Sequence, residues 1–111
     1  MVKVKIFRHD TRIVKVEMKG HAGYAKIGKD IVCSAISSIA GTALLGLIKV
    51  SSQKVEFVKN DEEGYLSFDV PLASSLEEGI RQEAITETML LGLRDLEKGY
   101  QSFINLKEEV I

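Results

Sequence analysis

Residues 2–19 read VKVKIFRHDTRIVKVEMK, two runs in which apolar and charged side chains alternate on either side of a short polar link. Alternation with a period of two is typical of β-strands that bury one face, because successive side chains of a strand point to opposite sides. The link of residues 9–11 is short, so the two runs are predicted to pair as an antiparallel hairpin. The fold is therefore expected to be built on a sheet with one buried face.

The most apolar segment of the chain is residues 31–50, IVCSAISSIAGTALLGLIKV. Asp30 stands directly before it and is a good N-cap residue, so a helix of about five turns from Ile31 to Val50 is predicted. The segment is apolar nearly all round, so we expect it to be covered by the sheet and by another helix or subunit. Gly41 and Gly46 are expected to allow close approach of a neighbouring backbone.

The second half of the chain repeats the order of hairpin and helix. Two strands are predicted on either side of a turn at residues 60–64, from the apolar positions Val55, Phe57, Leu66, Phe68 and Val70. Ser75 and Glu78 have the spacing of a capping box and open a helix that runs to about Tyr100. Residues 102–110 are predicted to form a last strand. The order strand-strand-helix-strand-strand-helix-strand predicts an α+β fold, with an antiparallel or mixed sheet and two helices packed on one side.

Composition limits the classes of protein to which the chain can belong. Its 111 residues, 45% of them hydrophobic, suit one domain, residues 1–111, with a single core. The 15 basic and 16 acidic residues give no basic excess, so no direct nucleic-acid partner is expected. One cysteine and two histidines allow no intrachain disulfide and are too few for a structural zinc site. We expect no metal, no cofactor and a reducing, cytoplasmic location.

The uncharged residues 31–48 are about long enough to cross a bilayer, so a membrane span is one alternative. Four hydroxyl-bearing residues and several small ones lie in the segment, which suits a helix buried in protein equally well. The first ten residues, MVKVKIFRHD, lack the continuous apolar core of a secretory signal. We therefore favour a core helix and expect no membrane partner.

Reactive chemistry can be sought at Cys33, in the first turn of the predicted helix. Unpaired amides and the helix dipole favour a thiolate there, and the thiolate is the nucleophilic form of cysteine. His21 lies twelve residues earlier, across a glycine-rich loop that allows the imidazole to fold back towards the thiol as a base. Asp30 is an anion and opposes the thiolate, and the sequence does not decide which effect prevails.

Each of these residues also has an ordinary structural interpretation. Cys33 can be a small buried hydrophobic residue, and His21 a loop residue without chemistry. Asp30 is first a helix cap, with a possible second role in orienting His21. Ser37 lies one helical turn after Cys33, where its hydroxyl can donate to the site or bond to the preceding turn. A reactive cysteine without a base would instead suit a thiol redox sensor.

Residues 20–37, GHAGYAKIGKDIVCSAIS, resemble the bacterial ribosomal-processing cysteine protease family called Prp. The resemblance implies that Cys33 and His21 form the catalytic pair. Asp30 and Ser37 also match the family pattern and are the candidates for supporting roles. The loop between the pair is expected to close over a peptide, and first-turn amides to hold the oxyanion. The backbone candidates for these roles are Gly20, Ala22, Gly28, Ile31 and Val32.

The resemblance implies a cysteine endopeptidase that removes a short N-terminal extension from large-ribosomal-subunit protein twenty-seven. It also implies a homodimer that needs no cofactor. The alternative is a non-catalytic, ribosome-associated assembly factor with the same fold, in which Cys33 is merely buried.

Overall fold

The computed structural model describes residues 1–21 and 30–111. Five strands and two helices occur there in the predicted order, and the α+β class is confirmed. In chain order they are β1 Val2–His9, β2 Arg12–Lys19, α1 Ile31–Lys49, β3 Phe57–Asn60, β4 Tyr65–Asp69, α2 Leu76–Gly99 and β5 Ile104–Val110.

The five strands form one mixed sheet in the order β3-β4-β2-β1-β5. The two hairpins are antiparallel and are joined to each other through β2 and β4, where Lys19 is opposite Tyr65. β5 lies parallel to β1, with Val2 opposite Ile104, because α2 carries the chain back across the sheet before β5 begins. The β2–β4 pairing places the turn of the second hairpin beside the residues that follow β2.

One face of the sheet carries the core, as the alternating pattern predicts. Val2, Val4 and Ile6 of β1 are buried, whereas Lys3 is exposed and Lys5 partly exposed. The residues of the helices that complete this core are Val32, Ile36, Ala40, Ala43, Leu44 and Leu47 of α1 with Met89, Leu90 and Leu93 of α2. Burial of these side chains is the main stabilising contribution to the fold.

The α1 helix begins at the predicted residue because Asp30 caps it. One carboxylate oxygen of Asp30, Oδ1, accepts hydrogen bonds from the amides of Val32 and Cys33. By length and composition alone, α1 could cross a membrane, a test that the core helix of a globular protein also passes. In the structure its buried side chains pack into the core that it shares with the sheet and α2.

Three details differ from the predictions. β3 begins at Phe57 rather than Val55, which packs against the core outside the strand. A Cβ at Gly41 would meet no atom of the described residues within 4 Å, so none of them makes the predicted close approach. A Cβ at Gly46 would lie 3.4 Å from the side chain of Ile85, so the neighbour there is a side chain rather than a backbone.

The capping box of α2 is the third difference. The hydroxyl of Ser75 accepts a hydrogen bond from the Glu78 amide, as predicted. The carboxylate of Glu78 accepts from the amide and the hydroxyl of Ser74 instead of from the amide of Ser75. The helix start is therefore stabilised by two serines rather than one.

Candidate active site

The position of Cys33 follows from the start of α1. It is the third residue of the helix, and its amide donates to Asp30 Oδ1 over 3.1 Å. The side chain is only partly buried. The helix cap therefore fixes the backbone of Cys33 and leaves its thiol accessible at the N-terminal end of the helix.

His21 is held just after β2 by its neighbours in the chain. Gly20 has a φ of +101° and donates its amide to the carbonyl of Gly64 over 2.9 Å. The carbonyl of His21 accepts a 2.7 Å hydrogen bond from the ammonium group of Met1. These bonds fix the backbone on both sides of the imidazole.

The structure brings the predicted pair together. Nδ1 of His21 lies 4.0 Å from Sγ of Cys33, and Nε2 of the same ring lies 3.4 Å from the main-chain carbonyl oxygen of Glu62. Hydrogen bonds in resting active sites are often long and shorten when substrate binds. The separation is therefore compatible with proton transfer from the thiol to the imidazole.

The pair opens into a cavity of about 120 Å³. Its walls come from β1, β2, α1 and the second hairpin, and the polar or charged side chains among them, besides the pair, are Ser37, Lys59, Asp61 and Tyr65. A larger groove of about 660 Å³ lies between α1 and α2 and is lined by neither Cys33 nor His21. Its lining is mostly aliphatic and small residues, so of these two cavities only the smaller one is lined by the candidate nucleophile and base.

The environment of Cys33 raises the pKa of its thiol above the ordinary value. Burial is the main cause, because it disfavours the charged thiolate, and the carboxylate of Asp30 adds to it by repulsion. A hydrogen bond with the Ser37 hydroxyl lowers the pKa but does not offset the other two effects. A raised pKa means that the thiol gives up its proton less readily, so a nucleophilic role for Cys33 calls for a base beside it.

Asp30 is occupied by the helix that it caps. Its Oδ1 accepts from two first-turn amides, and its main-chain carbonyl accepts from the Ser34 amide. Its Oδ2 is buried and has no hydrogen-bond partner among residues 1–21 and 30–111. Its predicted role in orienting His21 and the supporting role of Ser37 stay predictions.

The backbone candidates lie in different places. Gly20 lines the cavity, and Val32 is buried with its amide already bonded to Asp30. Ile31 is exposed at the start of α1. Ala22 and Gly28 fall outside the described residues. Within the described part of the chain, no three His, Cys, Asp or Glu side chains are grouped closely enough to hold a metal ion.

The turn that joins β3 to β4 is predicted from the sequence, but its position beside His21 is not. Glu62 in this turn contacts the ring of His21, although 41 positions separate the two residues in the chain, and Gly64 accepts a hydrogen bond from Gly20 directly before that histidine. The glycine at the end of an acidic turn indicated a hairpin, but no local pattern indicated that this hairpin lies against the residues after β2. That contact results from the pairing of β2 with β4.

A thiol beside an imidazole, at the N-terminus of a helix and at the mouth of a cavity, is the arrangement that a thiol-dependent hydrolase requires. The family model described as cysteine protease Prp matches residues 1–105. The chain belongs to this family of cysteine proteases, which confirms the predicted family and class of enzyme.

Individual relatives agree in length and fold. The ribosomal processing cysteine protease Prp of Bacillus subtilis is 29% identical over 114 residues, and the match covers 100% of both chains. The Staphylococcus aureus protein of the same name is 27% identical over 107 residues, covering 96% of this chain and 97% of its own.

Solved structures show the same fold. The crystal structure of S. aureus Prp with a covalently linked product peptide has a TM-score of 0.86 at 24% identity, over 98% of this chain and 100% of that one. A Streptococcus mutans protein has a TM-score of 0.85 at 24% identity, over 100% of this chain and 96% of its own.

Proposed function

We propose that this protein is an endopeptidase that removes an N-terminal extension from large-ribosomal-subunit protein twenty-seven in the cytoplasm. The names of the B. subtilis and S. aureus relatives, which describe ribosomal processing, support the substrate class. The observation that carries the chemistry is the 4.0 Å separation between Sγ of Cys33 and Nδ1 of His21. A substrate peptide bound to S. aureus Prp supports a peptide as the kind of ligand.

The reaction begins with the protonated thiol. As a peptide carbonyl approaches, Nδ1 of His21 takes the proton from Cys33, and the sulfur forms a bond to the carbonyl carbon. The tetrahedral intermediate collapses when His21 returns the proton to the departing amine and the peptide C–N bond breaks. Water then attacks the thioester, with His21 again accepting a proton, and releases the carboxylate product and the thiol.

The oxyanion is expected near the N-terminus of α1, where the helix dipole favours negative charge. The amides of Val32 and Cys33 already donate to Asp30, so they stabilise the oxyanion through the helix dipole. They can donate hydrogen bonds to it directly only if Asp30 releases them. Burial of Asp30 against the start of the helix makes that release costly.

The test is incubation with the full-length precursor of the ribosomal protein under reducing conditions, read by mass spectrometry. Cleavage by the parent and its loss in Cys33→Ala and His21→Ala would support the proposal. The His21→Ala variant also separates proteolysis from redox sensing, because oxidation of the thiol needs no base in this position. If the parent leaves the precursor intact but binds it, the non-catalytic assembly factor becomes the better assignment.

We also propose that the protein is a homodimer, with a second copy packed over the groove between α1 and α2. Leu45 and Leu91 support this proposal, since they are 59% and 70% exposed. Leu45 lies three residues after Thr42, and Leu91 lies three residues after Thr88, and both threonines line the groove. Residues three apart share a face of a helix, so each leucine lies on the groove side of its helix. Leu45→Glu and Leu91→Glu should yield monomers in sedimentation analysis, whereas Leu72→Glu, at a loop residue that is 81% exposed, should not. A parent that sediments as a monomer would contradict the proposal.

A further inference from the structure

The turn between β3 and β4, residues 61–64, contacts His21 on the side opposite Cys33. The carbonyl oxygen of Glu62 lies 3.4 Å from Nε2 of the imidazole, while Nδ1 of the same ring faces Cys33. The carbonyl of Gly64 accepts the amide of Gly20, directly before His21, over 2.9 Å. The turn therefore contacts both the ring and the backbone that carries it.

Gly64 makes this contact possible in two ways. Its φ of +63° lies in the left-handed region, where residues with a Cβ are disfavoured. A Cβ at this position would also lie 2.6 Å from the carbonyl oxygen of Gly20, 2.9 Å from Cε1 of His21 and 3.0 Å from Nε2. These distances are far below van der Waals contact, so a side chain at residue 64 would displace either the imidazole or the turn.

The turn holds its own shape through two internal hydrogen bonds. The amide of Gly64 donates to the carbonyl of Asp61 over 3.3 Å, and the amide of Glu63 donates to Oδ1 of Asn60 over 3.2 Å. The strands on either side are paired, with Asn60 opposite Tyr65. The carbonyl of Glu62 is thus directed by a closed hairpin rather than by a free loop.

The chemistry of imidazole gives this arrangement a consequence. A neutral imidazole carries one N–H, and the other nitrogen has the lone pair that can accept a proton. A carbonyl can only accept a hydrogen bond, so its contact with Nε2 selects the tautomer in which Nε2 carries the hydrogen. The lone pair is then on Nδ1, the nitrogen that faces the thiol.

We propose that the β3–β4 turn is the positioning element of the catalytic pair: the Glu62 carbonyl fixes the tautomer and orientation of His21, and Gly64 leaves the space that the ring needs. In this arrangement a main-chain carbonyl does the work of the carboxylate that orients histidine in a serine protease. When His21 has taken the thiol proton, Nε2 still donates to Glu62, so no rearrangement is needed between the two protonation states. The proposal rests on the role of His21 as base in the proposed function.

The first experiment is nitrogen-15 NMR of the histidine-labelled protein with its imidazoles in the neutral form, and the signal of His21 is assigned by its loss in His21→Ala. The expected result is a neutral imidazole protonated at Nε2. An Nδ1-protonated ring in the parent would overturn the proposal. This measurement needs no substrate, so it stands even if the ribosomal protein proves not to be cleaved.

The second experiment compares Gly64→Ala and Gly64→Asn with the parent. Both variants add a Cβ and therefore share the steric conflict with His21. Asparagine tolerates the left-handed region better than alanine, so a difference between the two variants reports backbone strain. Both variants should show a mixture of tautomers and a kcat about 100-fold lower, the order of loss expected for a 1 Å misplacement, with KM less affected.

Gly99→Ala is the matched control, because a Cβ there meets no atom of the described residues within 4 Å, and it should match the parent. Folded Gly64 variants that keep both the parent tautomer and its kcat would overturn the role of Gly64. If neither variant folds, the tautomer of the parent alone decides the proposal. If the precursor is not a substrate, the rate of Cys33 alkylation at neutral pH replaces kcat, and a loss in both variants supports the proposal.

Discussion

Cys33 lies between two side chains that act on its thiol in opposite directions. Burial is the main cause of the raised pKa of the thiol, and Asp30 raises it further by repulsion of the thiolate. Ser37 lowers the pKa by a hydrogen bond. The thiol is therefore less acidic than its place at a helix N-terminus alone would predict, which is why the proposed mechanism assigns removal of its proton to His21.

We predict that Asp30→Asn lowers the pKa of Cys33. Asparagine removes the negative charge but keeps a side-chain oxygen that can accept from the amides of Val32 and Cys33, so helix capping is retained. The measurement is the rate of iodoacetamide alkylation against pH, whose midpoint should move to lower pH. An unchanged or higher midpoint would show that Asp30 does not act on the thiol by its charge.

Two further variants serve as controls for that experiment. Ser37→Ala should move the alkylation midpoint to higher pH, because it removes the hydrogen bond that lowers the pKa of Cys33. Ser38→Ala, an exposed serine at the next position of α1, should leave the midpoint unchanged. If Ser38→Ala also moves the midpoint, the changes seen in Asp30→Asn and Ser37→Ala reflect the stability of α1 rather than the charge and hydrogen bond at Cys33.

At the scale of elements, α1 combines a strong start with two residues that weaken its interior. Asp30 satisfies the amides of the first turn, but Gly41 and Gly46 lower helix propensity. A neighbour explains only one of them, since Gly46 faces Ile85 of α2 and Gly41 faces open space among the described residues. Gly41 also lines the cavity at Cys33.

Gly41→Ala is expected to stabilise the protein by about 0.5–1 kcal/mol, because alanine restricts the unfolded chain and its methyl group meets no neighbour in the described structure. Urea unfolding followed by circular dichroism measures this change. Gly46→Ala should gain less, since its methyl group would lie 3.4 Å from Ile85. A larger gain at residue 46 than at residue 41 would contradict this description of the α1–α2 contact.

At the scale of the whole molecule, a charged network joins the sheet to α2. Arg8 of β1 donates to Glu108 of β5 over 2.7 Å and to both carboxylate oxygens of Glu87 in α2, at 2.8 and 2.9 Å. Arg94 of α2 also bonds to Glu108. Arg8 holds the pKa of the Glu108 carboxyl below its ordinary value, mainly through their hydrogen bond.

This lowered pKa predicts that stability depends on Glu108 at neutral pH but not in acid. The folded state binds the proton of Glu108 more weakly than the unfolded state, so the stabilisation is present above the ordinary pKa of 4.5 and is lost as pH falls through the lower folded value. Glu108→Gln should therefore cost about 1 kcal/mol at pH 7 and progressively less below pH 4.5. Urea unfolding at several pH values measures this difference.

The control for Glu108 is its neighbour in β5. Glu109 pairs with Lys5 over 3.8 Å, and both side chains are 44% exposed, so Glu109→Gln should change stability little at any pH. Equal effects of the two substitutions would show that net charge, rather than the Arg8 network, controls the acid response.

Short-range signals in the sequence predict the order of the elements: alternation in β1 and β2 and the Asp30 cap before α1. The spacing of His21 and Cys33 allows a catalytic pair but does not require one, and the resemblance of residues 20–37 to the Prp family is what singles the two residues out. Such signals act within a few residues, so they can be recognised without knowledge of the fold.

The tertiary structure sets three features that no local pattern predicts: the strand order, the parallel pairing of β1 with β5 and the place of the β3–β4 turn against His21. It also decided that the pKa of Cys33 is raised, because that direction depends on how deeply the thiol is buried and on the side chains around it. Contacts between residues far apart in the chain result from packing of whole elements. A local pattern records which face of an element is buried, but not which other element covers it.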